Sequence, residues 1–245
     1  MSAPDANVVD GRTSDTARPA VMAALRQRGI EAMALRPGQR VLDVGCGTGT
    51  GTLALADAVG ASGTVCGVDY DVVMIAEAQR RASVDGVDGV DARVTYHQAN
   101  AAALPWPDGY FDASRSDRVL QHMLDPERAF VELLRVTQPG GRVVLIDGDW
   151  ATLSIDPDEP DTEMRRAYFQ ETLRVANPRS GRCLQRLFER HGLQNIEIEV
   201  QPMFERDADA LWCWQQSRTP ASDADGRFAS ANVVMVSGRK AFSPV

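Results

Sequence analysis

The stretch Val41-Leu42-Asp43-Val44-Gly45-Cys46-Gly47-Thr48-Gly49 decides the fold of this 245-residue chain. An apolar run enters a turn with glycines at alternate positions, and the pattern after it predicts a helix over residues 50–59. Glycine permits positive φ and lets a ligand lie against bare backbone. A helix N-terminus adds backbone N–H groups without intrahelical partners. The stretch therefore predicts a strand, a ligand-binding turn and a helix in succession.

An acidic residue completes this pattern at the end of the next predicted strand. Gly67-Val68-Asp69 places the carboxylate of Asp69 beside the glycine turn, because neighbouring parallel strands end at the same edge of a sheet. A carboxylate at that position can accept hydrogen bonds from both ribose hydroxyls of an adenosine. The turn and the acid together predict an adenosine pocket.

The spacing of the glycines argues against two common nucleotide motifs. The dinucleotide fingerprint G-x-G-x-x-G fails, since its third position is Thr50 counted from Gly45 and Thr52 counted from Gly47. The phosphate-binding pattern G-x-x-x-x-G-K-[ST] does not occur in the sequence. Nicotinamide and nucleoside triphosphate chemistry therefore lack support.

Strands and helices alternate along most of the chain, which predicts an α/β fold with a mostly parallel sheet and helices on both faces. A turn at Pro139-Gly140-Gly141 is expected before the fifth strand. The predicted strands span residues 40–44, 64–68, 94–97, 111–115, 142–147, 196–204 and 232–237, and the predicted helices span residues 50–59, 71–83 and 126–136.

Two further regions are expected to cover the pocket. Residues 1–35 are predicted to form an N-terminal arm and a helix over 17–35, ended by Pro37-Gly38, that together act as a lid. Residues 36–245 then form the main domain, with a helical cap inserted after the fifth strand at about 156–191. A short helix is expected over 208–216.

Composition excludes several partners and predicts a cytoplasmic protein. The net charge of −8 disfavours nucleic acid and anionic membranes, both of which require a basic surface. The sequence contains no secretory signal peptide and no apolar run long enough to span a bilayer. The four cysteines form no C-x-x-C pair, so no metal site is expected.

Three stretches resemble a known enzyme family. VLDVGCGTG at 41–49 resembles motif I of the class I S-adenosylmethionine (SAM)-dependent methyltransferases, and GVDYD at 67–71 resembles the motif that follows it. The stretch at 111–147 resembles the ubiquinone/menaquinone-biosynthesis-like (type 11) group of that family. The resemblance implies a Rossmann-like, seven-stranded, mostly parallel sheet. It also implies SAM as cofactor, S-adenosylhomocysteine as product, and no metal.

The resemblance further implies which residues contact the cofactor. The glycine turn would lie beside the methionine part, Asp69 would hold the ribose, and Tyr70 would stack on the adenine. Asn100-Ala101 stands where the family often has Asp-Ala, and its amide can still accept a hydrogen bond. The implied cofactor residues are Asp43, Gly45, Cys46, Gly47, Asp69, Tyr70, Asn100, Ala101, Ser116 and Asp117.

Three residues beyond the cofactor motifs are candidates for the acceptor site. His122 follows the fourth predicted strand and is the candidate general base, because an imidazole titrates near neutral pH. Arg118 could neutralise an acidic acceptor, and Trp150 could stack on a flat one. Structural roles for His122 and Trp150 remain the alternatives.

We therefore expect methyl transfer from SAM to a nitrogen or oxygen of a small, heteroaromatic metabolite, by a monomer or homodimer. A toxoflavin-type azapteridine N-methyltransferase fits the chain in size. One alternative is C-methylation of a ubiquinone or menaquinone precursor. Another is a SAM-binding auxiliary protein without transferase activity.

Overall fold

A computed structural model describes residues 20–85, 93–156, 175–205 and 228–242, and within these ranges the predicted α/β alternation is confirmed. The helices are α1 (Ala20–Ala32), α2 (Thr50–Val59), α3 (Val72–Asp85), α4 (Pro126–Val136) and α5 (Ser180–Arg190). The strands are β1 (Arg40–Val44), β2 (Thr64–Asp69), β3 (Val94–Gln98), β4 (Phe111–Asp117), β5 (Thr137–Asp156), β6 (Gln194–Glu205) and β7 (Phe228–Arg239). A 3₁₀ turn spans Leu120–His122.

Within the described ranges the strands form one seven-stranded sheet in the order β3-β2-β1-β4-β5-β7-β6, with β7 antiparallel to both of its neighbours. The order reverses between β1 and β4, and ligands bind open α/β sheets at such a switch point, outside the carboxyl ends of the strands. The registers pair Val44 with Val68 on one side and with Ser116 on the other. The ends of β2 and β4 therefore flank the glycine turn that follows β1.

Apolar side chains fill both faces of this sheet, as parallel strands require. Val41 and Leu42 are fully buried on β1 and belong to different core clusters, so the alternation along the strand supplies both faces. Leu25 of α1 joins the first cluster, and Phe130 of α4 joins the second. The rigid sheet that results positions the loops at its carboxyl edge.

Two predicted element ends are wrong. Helix α1 ends at Ala32, ahead of Pro37-Gly38, because Ala34 adopts a left-handed φ of 48° that cannot continue a helix. Pro139-Gly140-Gly141 lies inside β5 and makes no separate turn before it. The backbone N–H of Gly140 donates to the carbonyl oxygen of Lys240. The pairing of β4 with β5 shifts register at this segment: Phe111 pairs with Thr137, whereas Ala113 pairs with Arg142.

The second half of the predicted cap is a helix of the core. Leu184 and Phe188 of α5 are buried, and the Phe188 ring lies 5.1 Å from that of Phe130. The apolar face of this helix covers the sheet, so of the two helices expected within 156–191 the second belongs to the core. The first helix of the cap, the arm ahead of residue 20 and the helix expected over 208–216 lie outside the described residues. Among the described helices, none is long and apolar enough to cross a membrane.

Candidate active site

The glycine turn after β1 has the backbone conformation that its sequence predicts. Gly45, Gly47 and Gly49 have φ values of 73°, 53° and 85°, in the left-handed region that favours glycine. A Cβ on Gly45 would lie 1.9 Å from a methyl carbon of Val119, whereas a Cβ on Gly47 would meet nothing within 4 Å. Gly47 therefore exposes bare backbone to open space.

Asp69 at the end of β2 faces this turn. One carboxylate oxygen accepts from the backbone N–H of Gly47 at 2.9 Å, and the other accepts from that of Asp71 at 3.0 Å. Each carboxylate oxygen has two lone pairs, so both can accept a further hydrogen bond. Asp69 is thus fixed by the backbone and still able to bind two hydroxyl groups.

A cavity of about 430 Å³ opens beside Asp69 at the carboxyl edge of the sheet, and we call it the larger cavity. Its volume is within the range of small-molecule sites. Residues from four strand ends line it: Val44, Gly45, Val68, Asp69, Tyr70, Ala99, Asn100, Ala101, Arg118, Val119, His122 and Met123. The structure thus brings together the residues that the sequence predicts for an adenosine and for an acceptor.

A smaller cavity of about 110 Å³ is lined by the glycine turn itself. Gly45 and Arg118 line both cavities, so the two are neighbours. The smaller cavity is rich in charged groups. It is lined by Arg26, Asp43, Gly45, Cys46, Gly47, Thr48, Thr50, Gly51, Met74, Arg115, Asp117 and Arg118.

The buried carboxylate of Asp43 is paired with Arg115, a residue that the sequence analysis missed. Arg115 donates to both carboxylate oxygens, at 2.9 and 3.2 Å, and the Thr52 hydroxyl donates at 2.7 Å. Arg115 Nη1 is buried without a hydrogen-bond partner among the described residues. A lone arginine within β4, opposite an acid of β1, is the sequence signal that could have revealed the pair. This unpartnered donor suits an anionic group in the smaller cavity.

Asp117, at the end of β4, binds two arginines. Arg26 of α1 contacts one carboxylate oxygen at 2.6 Å, and Arg118 contacts the other at 3.2 Å. Although burial opposes ionisation, the positive charges of Arg26 and Arg118 hold the pKa of Asp117 well below its usual range. Arg118 itself has a left-handed φ of 60°. The N-terminal helix therefore reaches the site through Arg26, which the sequence did not predict.

His122 lies at the end of the 3₁₀ turn and lines the larger cavity. Its Nε2 is 3.0 Å from the side-chain amide nitrogen of Gln121. The amide oxygen of Gln121 accepts from the Trp150 indole N–H at 2.9 Å. Trp150 is 2% exposed and belongs to the core. Its predicted stacking on an acceptor is therefore not supported, since its indole N–H is occupied and its ring is covered.

The remaining predicted residues differ in their accessibility. Tyr70 is 77% exposed at the mouth of the larger cavity, where its ring is available to stack. The Asn100 amide oxygen already accepts from the Ala102 N–H at 2.9 Å. Ser116 is buried at the end of β4 and lines neither cavity. Burial, together with the charges of Asp43 and Asp69, strongly raises the pKa of Cys46, which disfavours the reactive thiolate.

Within the described ranges, no group of three or more His, Cys, Asp or Glu side chains lies close enough to hold a metal ion.

A family model described as a methyltransferase domain matches residues 42–145, which include β1, the glycine turn, Asp69 and His122. Residues 42–145 are therefore similar to methyltransferase domains. The match covers the strand ends that line both cavities, so the region of similarity includes the candidate site.

Curated proteins are similar to part of this chain. An uncharacterized 37.1 kDa protein in transposon TN4556 of Streptomyces fradiae is 41% identical over 160 residues, 64% of this chain and 44% of that protein. A ubiquinone/menaquinone biosynthesis C-methyltransferase of Vibrio cholerae is 37% identical over 118 residues, 48% of this chain and 44% of that protein. The chain thus spans less than half the length of these relatives.

Solved structures confirm the class I methyltransferase fold. The YcgJ protein of Bacillus subtilis aligns with a TM-score of 0.67 and 22% identity, covering 89% of this chain and 99% of that chain. A geranyl diphosphate C-methyltransferase of Streptomyces coelicolor A3(2), in complex with Mg²⁺, geranyl diphosphate and S-adenosyl-L-homocysteine, aligns with a TM-score of 0.64 and 19% identity. That alignment covers 89% of this chain and 79% of that chain. At these identities the likeness concerns the fold alone.

Proposed function

We propose that the chain transfers a methyl group from SAM to a small molecule. One observation carries the proposal: Asp69 and the bare backbone of Gly47 are hydrogen-bonded to each other beside a cavity of about 430 Å³. A carboxylate next to unhindered backbone, at the switch point of an α/β sheet, suits a nucleoside. The methyltransferase domain over residues 42–145 supports the same assignment.

The residues of the two cavities fit this cofactor part by part. Both oxygens of Asp69 can still accept from ribose hydroxyls, and the exposed Tyr70 ring can stack on the adenine. The unpartnered Nη1 of Arg115 would meet the carboxylate of the methionine part in the smaller cavity. The carboxylates of Asp43 and Asp117 offset two of the three arginine charges there, which leaves one positive charge for that anion.

SAM supplies a methyl group on a sulfonium, which is a good leaving group. The protein's contribution is to align the acceptor and to exclude water, which is worth up to roughly 7–11 kcal/mol in well-oriented systems. In the larger cavity Arg118 offers charge to the acceptor, and His122 offers an imidazole that could act as a base. A neutral ring nitrogen needs no base for methylation, whereas a phenol or hydroxyl benefits from one.

For the acceptor we propose a small heteroaromatic metabolite that is methylated on nitrogen or oxygen, such as a toxoflavin-like azapteridine. The net charge of −8 opposes a nucleic-acid acceptor. We also propose that the protein is a monomer or homodimer in the cytoplasm. Residues 1–35 would form a lid over residues 36–245. The Arg26–Asp117 contact supports the lid, because it ties α1 to the site.

C-methylation is the second candidate. It is favoured by the names of two similar proteins, the Vibrio cholerae and Streptomyces coelicolor C-methyltransferases. A carbon acceptor must lose a proton after methylation. This reaction would therefore need a base in the larger cavity, and His122 is the candidate. A SAM-binding protein without transferase activity is the remaining alternative, and it predicts cofactor binding without turnover on any acceptor.

The test is calorimetric titration of the full chain with S-adenosylhomocysteine and, separately, with NADH. We expect binding of S-adenosylhomocysteine only. Asp69→Ala should weaken this binding by roughly 10- to 150-fold, because charge-assisted hydrogen bonds are worth about 1.5–3 kcal/mol each. Asp57→Ala is the matched control, since the Asp57 side chain is 84% exposed on α2. Unchanged affinity in Asp69→Ala, or tight NADH binding, would contradict the proposal.

A further inference from the structure

Arg118 lies at the junction of the two cavities, directly after β4. Its side chain lines both cavities and is 16% exposed. Arg26 and Arg115, the other arginines of the site, line only the smaller cavity. Among the residues that the structure describes, Arg118 is thus the one arginine or lysine that lines the larger cavity. An anionic group of a ligand in the larger cavity would therefore meet this guanidinium.

The hydrogen bonds of Arg118 leave its terminal nitrogens available to a ligand. Its Nε donates to one carboxylate oxygen of Asp117 at 3.2 Å, while the other oxygen accepts from Arg26 at 2.6 Å. Within the described part of the chain, Nη1 and Nη2 of Arg118 have no hydrogen-bond partner. A guanidinium that is fixed through Nε still presents a planar fork of N–H groups, which matches the oxygens of a carboxylate.

The backbone holds Arg118 in a strained conformation. Its φ of 60° lies in the left-handed region, which costs free energy for a residue with a long side chain. Its backbone N–H donates to the carbonyl oxygen of Ile146, on the neighbouring β5, at 2.7 Å. Residues that are held in strained conformations cluster at ligand-binding sites. The bond to β5 and the pair with Asp117 therefore fix the guanidinium in the way that recognition of a ligand requires.

The charges around the two cavities indicate the sign of the acceptor. Besides His122, the described charged residues that line the cavities are three arginines and three aspartates, whose charges cancel: Arg26, Arg115, Arg118, Asp43, Asp69 and Asp117. Asp147 of β5 also attracts Arg118, but burial raises the pKa of Asp147 to about 7, which weakens this attraction. SAM carries a sulfonium, an amino group and a single carboxylate, so it would add an excess of positive charge. An anion in the larger cavity would offset this excess.

We propose that Arg118 determines specificity by binding an acceptor that carries a carboxylate or a similar oxyanion. The inference rests on the proposed function, because it names the substrate class of that same site. The carboxylate of the methionine part has its own donor in the smaller cavity, the unpartnered Nη1 of Arg115. The fork of Arg118 is then left for the acceptor in the larger cavity.

The test is calorimetric titration of the full chain with nicotinate and, separately, with nicotinamide, in the presence of saturating S-adenosylhomocysteine. The two probes share one heteroaromatic ring, and only nicotinate is an anion. We expect nicotinate to bind with a dissociation constant at least about tenfold lower, because charge-assisted, bidentate hydrogen bonds are stronger than neutral ones. The same titrations without S-adenosylhomocysteine should show the same preference.

Three variants assign the preference to one side chain. Arg118→Asn removes the charge, and asparagine tolerates the left-handed conformation, so this variant should bind both probes equally and still bind S-adenosylhomocysteine. Arg118→Lys keeps the charge without the fork, so its preference for nicotinate should be weaker than that of the wild type. Arg190→Gln is the matched control and should behave as the wild type, because Arg190 is 62% exposed and lines neither cavity.

Equal affinity of the wild type for the two probes, or no detectable binding of nicotinate, would overturn the proposal. So would displacement of nicotinate by S-adenosylhomocysteine, since the anion would then occupy the place of the cofactor. If Arg118→Asn fails to fold, the wild-type and Arg118→Lys titrations decide. Failure of S-adenosylhomocysteine to bind would overturn the proposed function, whereas the titrations without it would still decide whether Arg118 selects an anion.

Discussion

At the scale of single residues, Gly45 and Gly47 shape the candidate site by lacking a side chain, and for different reasons. The turn packs Gly45 against Val119, so its missing Cβ makes room for the protein itself. Gly47 faces open space, and its missing Cβ makes room for a ligand. Both also adopt positive φ, which costs any other residue about 1–2 kcal/mol.

Alanine substitutions should separate these two roles. We expect Gly47→Ala to lower the free energy of unfolding by only about 1–2 kcal/mol while weakening S-adenosylhomocysteine binding at least about tenfold, because the methyl group occupies the ligand's place. Gly45→Ala should destabilise the fold more strongly, since its Cβ collides with Val119. Urea unfolding and calorimetry on both variants check the prediction. Normal binding by a folded Gly47→Ala variant would contradict it.

At the scale of elements, hydrogen bonds and ion pairs between particular side chains attach α1 and α5 to the sheet. Arg26 of α1 binds Asp117 at the end of β4. Ser180, at the start of α5, donates to Asp147 of β5 at 2.8 Å, and Arg182 donates to Asp149 at 2.7 Å. These contacts fix the position of each helix at the carboxyl edge of the sheet, where the two cavities lie.

The Arg26–Asp117 pair should stabilise the docking of α1. Arg26→Ala should lower the free energy of unfolding by about 1.5–3 kcal/mol, because the side chains are only 15% and 11% exposed and the carboxylate loses a charged donor. Arg28→Ala is the matched control on the same helix. Its partner Glu199 is about as exposed as Arg28 itself, so the loss should stay below about 1 kcal/mol. Equal losses in urea unfolding would contradict a specific role for Arg26.

Asp147 should make stability depend on pH. Burial raises the pKa of Asp147 to about 7, from an ordinary value of 3.8. The folded chain therefore keeps a proton there that the unfolded chain loses between about pH 4 and pH 7. As pH rises through this window, the free energy of unfolding should fall by on the order of 2–4 kcal/mol.

Asp147→Asn isolates this contribution, because the amide keeps an oxygen for the Ser180 hydroxyl and cannot ionise. Unfolding by urea at about pH 5 and about pH 8 should show a larger loss of stability for the wild type than for the variant. Parallel pH dependence of the two proteins would show that the carboxyl group does not titrate in the folded state.

At the scale of the whole molecule, the seven-stranded sheet brings distant parts of the chain to one edge. Asp69, Arg118 and His122 line one cavity because β2 and β4 both neighbour β1. The site is thus assembled by strand order, and a ligand that spans the two cavities should bind only the folded state. Such a ligand stabilises the fold by mass action.

Saturating S-adenosylhomocysteine should therefore raise the melting temperature. At one hundred times its dissociation constant the added stability is about 2.7 kcal/mol, which corresponds to roughly 5–10 °C for a chain of this size. A thermal-shift measurement checks this, with Asp69→Ala at the same ligand concentration as the control, which should show a much smaller shift. An equal shift with NADH would contradict the predicted selectivity.

The sequence by itself determined the alternation of elements, the bounds of β1, α2 and α4, and the glycine turn with its backbone conformation. These follow from local rules, because periodic burial and glycine at positive φ act within a few residues along the chain. The place of Asp69 beside the turn was predictable for a different reason, because neighbouring parallel strands end at the same edge of a sheet.

Only the tertiary structure decided the Asp43–Arg115 pair, the contact of Arg26 with Asp117, and the chain of hydrogen bonds from Trp150 through Gln121 to His122. It also showed that Trp150 is buried and that α5 covers the sheet. The Asp43–Arg115, Arg26–Asp117 and Gln121–Trp150 contacts pair residues far apart in sequence. These contacts depend on strand order and helix docking, which local sequence patterns do not encode. A buried charge must be paired to offset its desolvation, and the tertiary arrangement decides which residue becomes its partner.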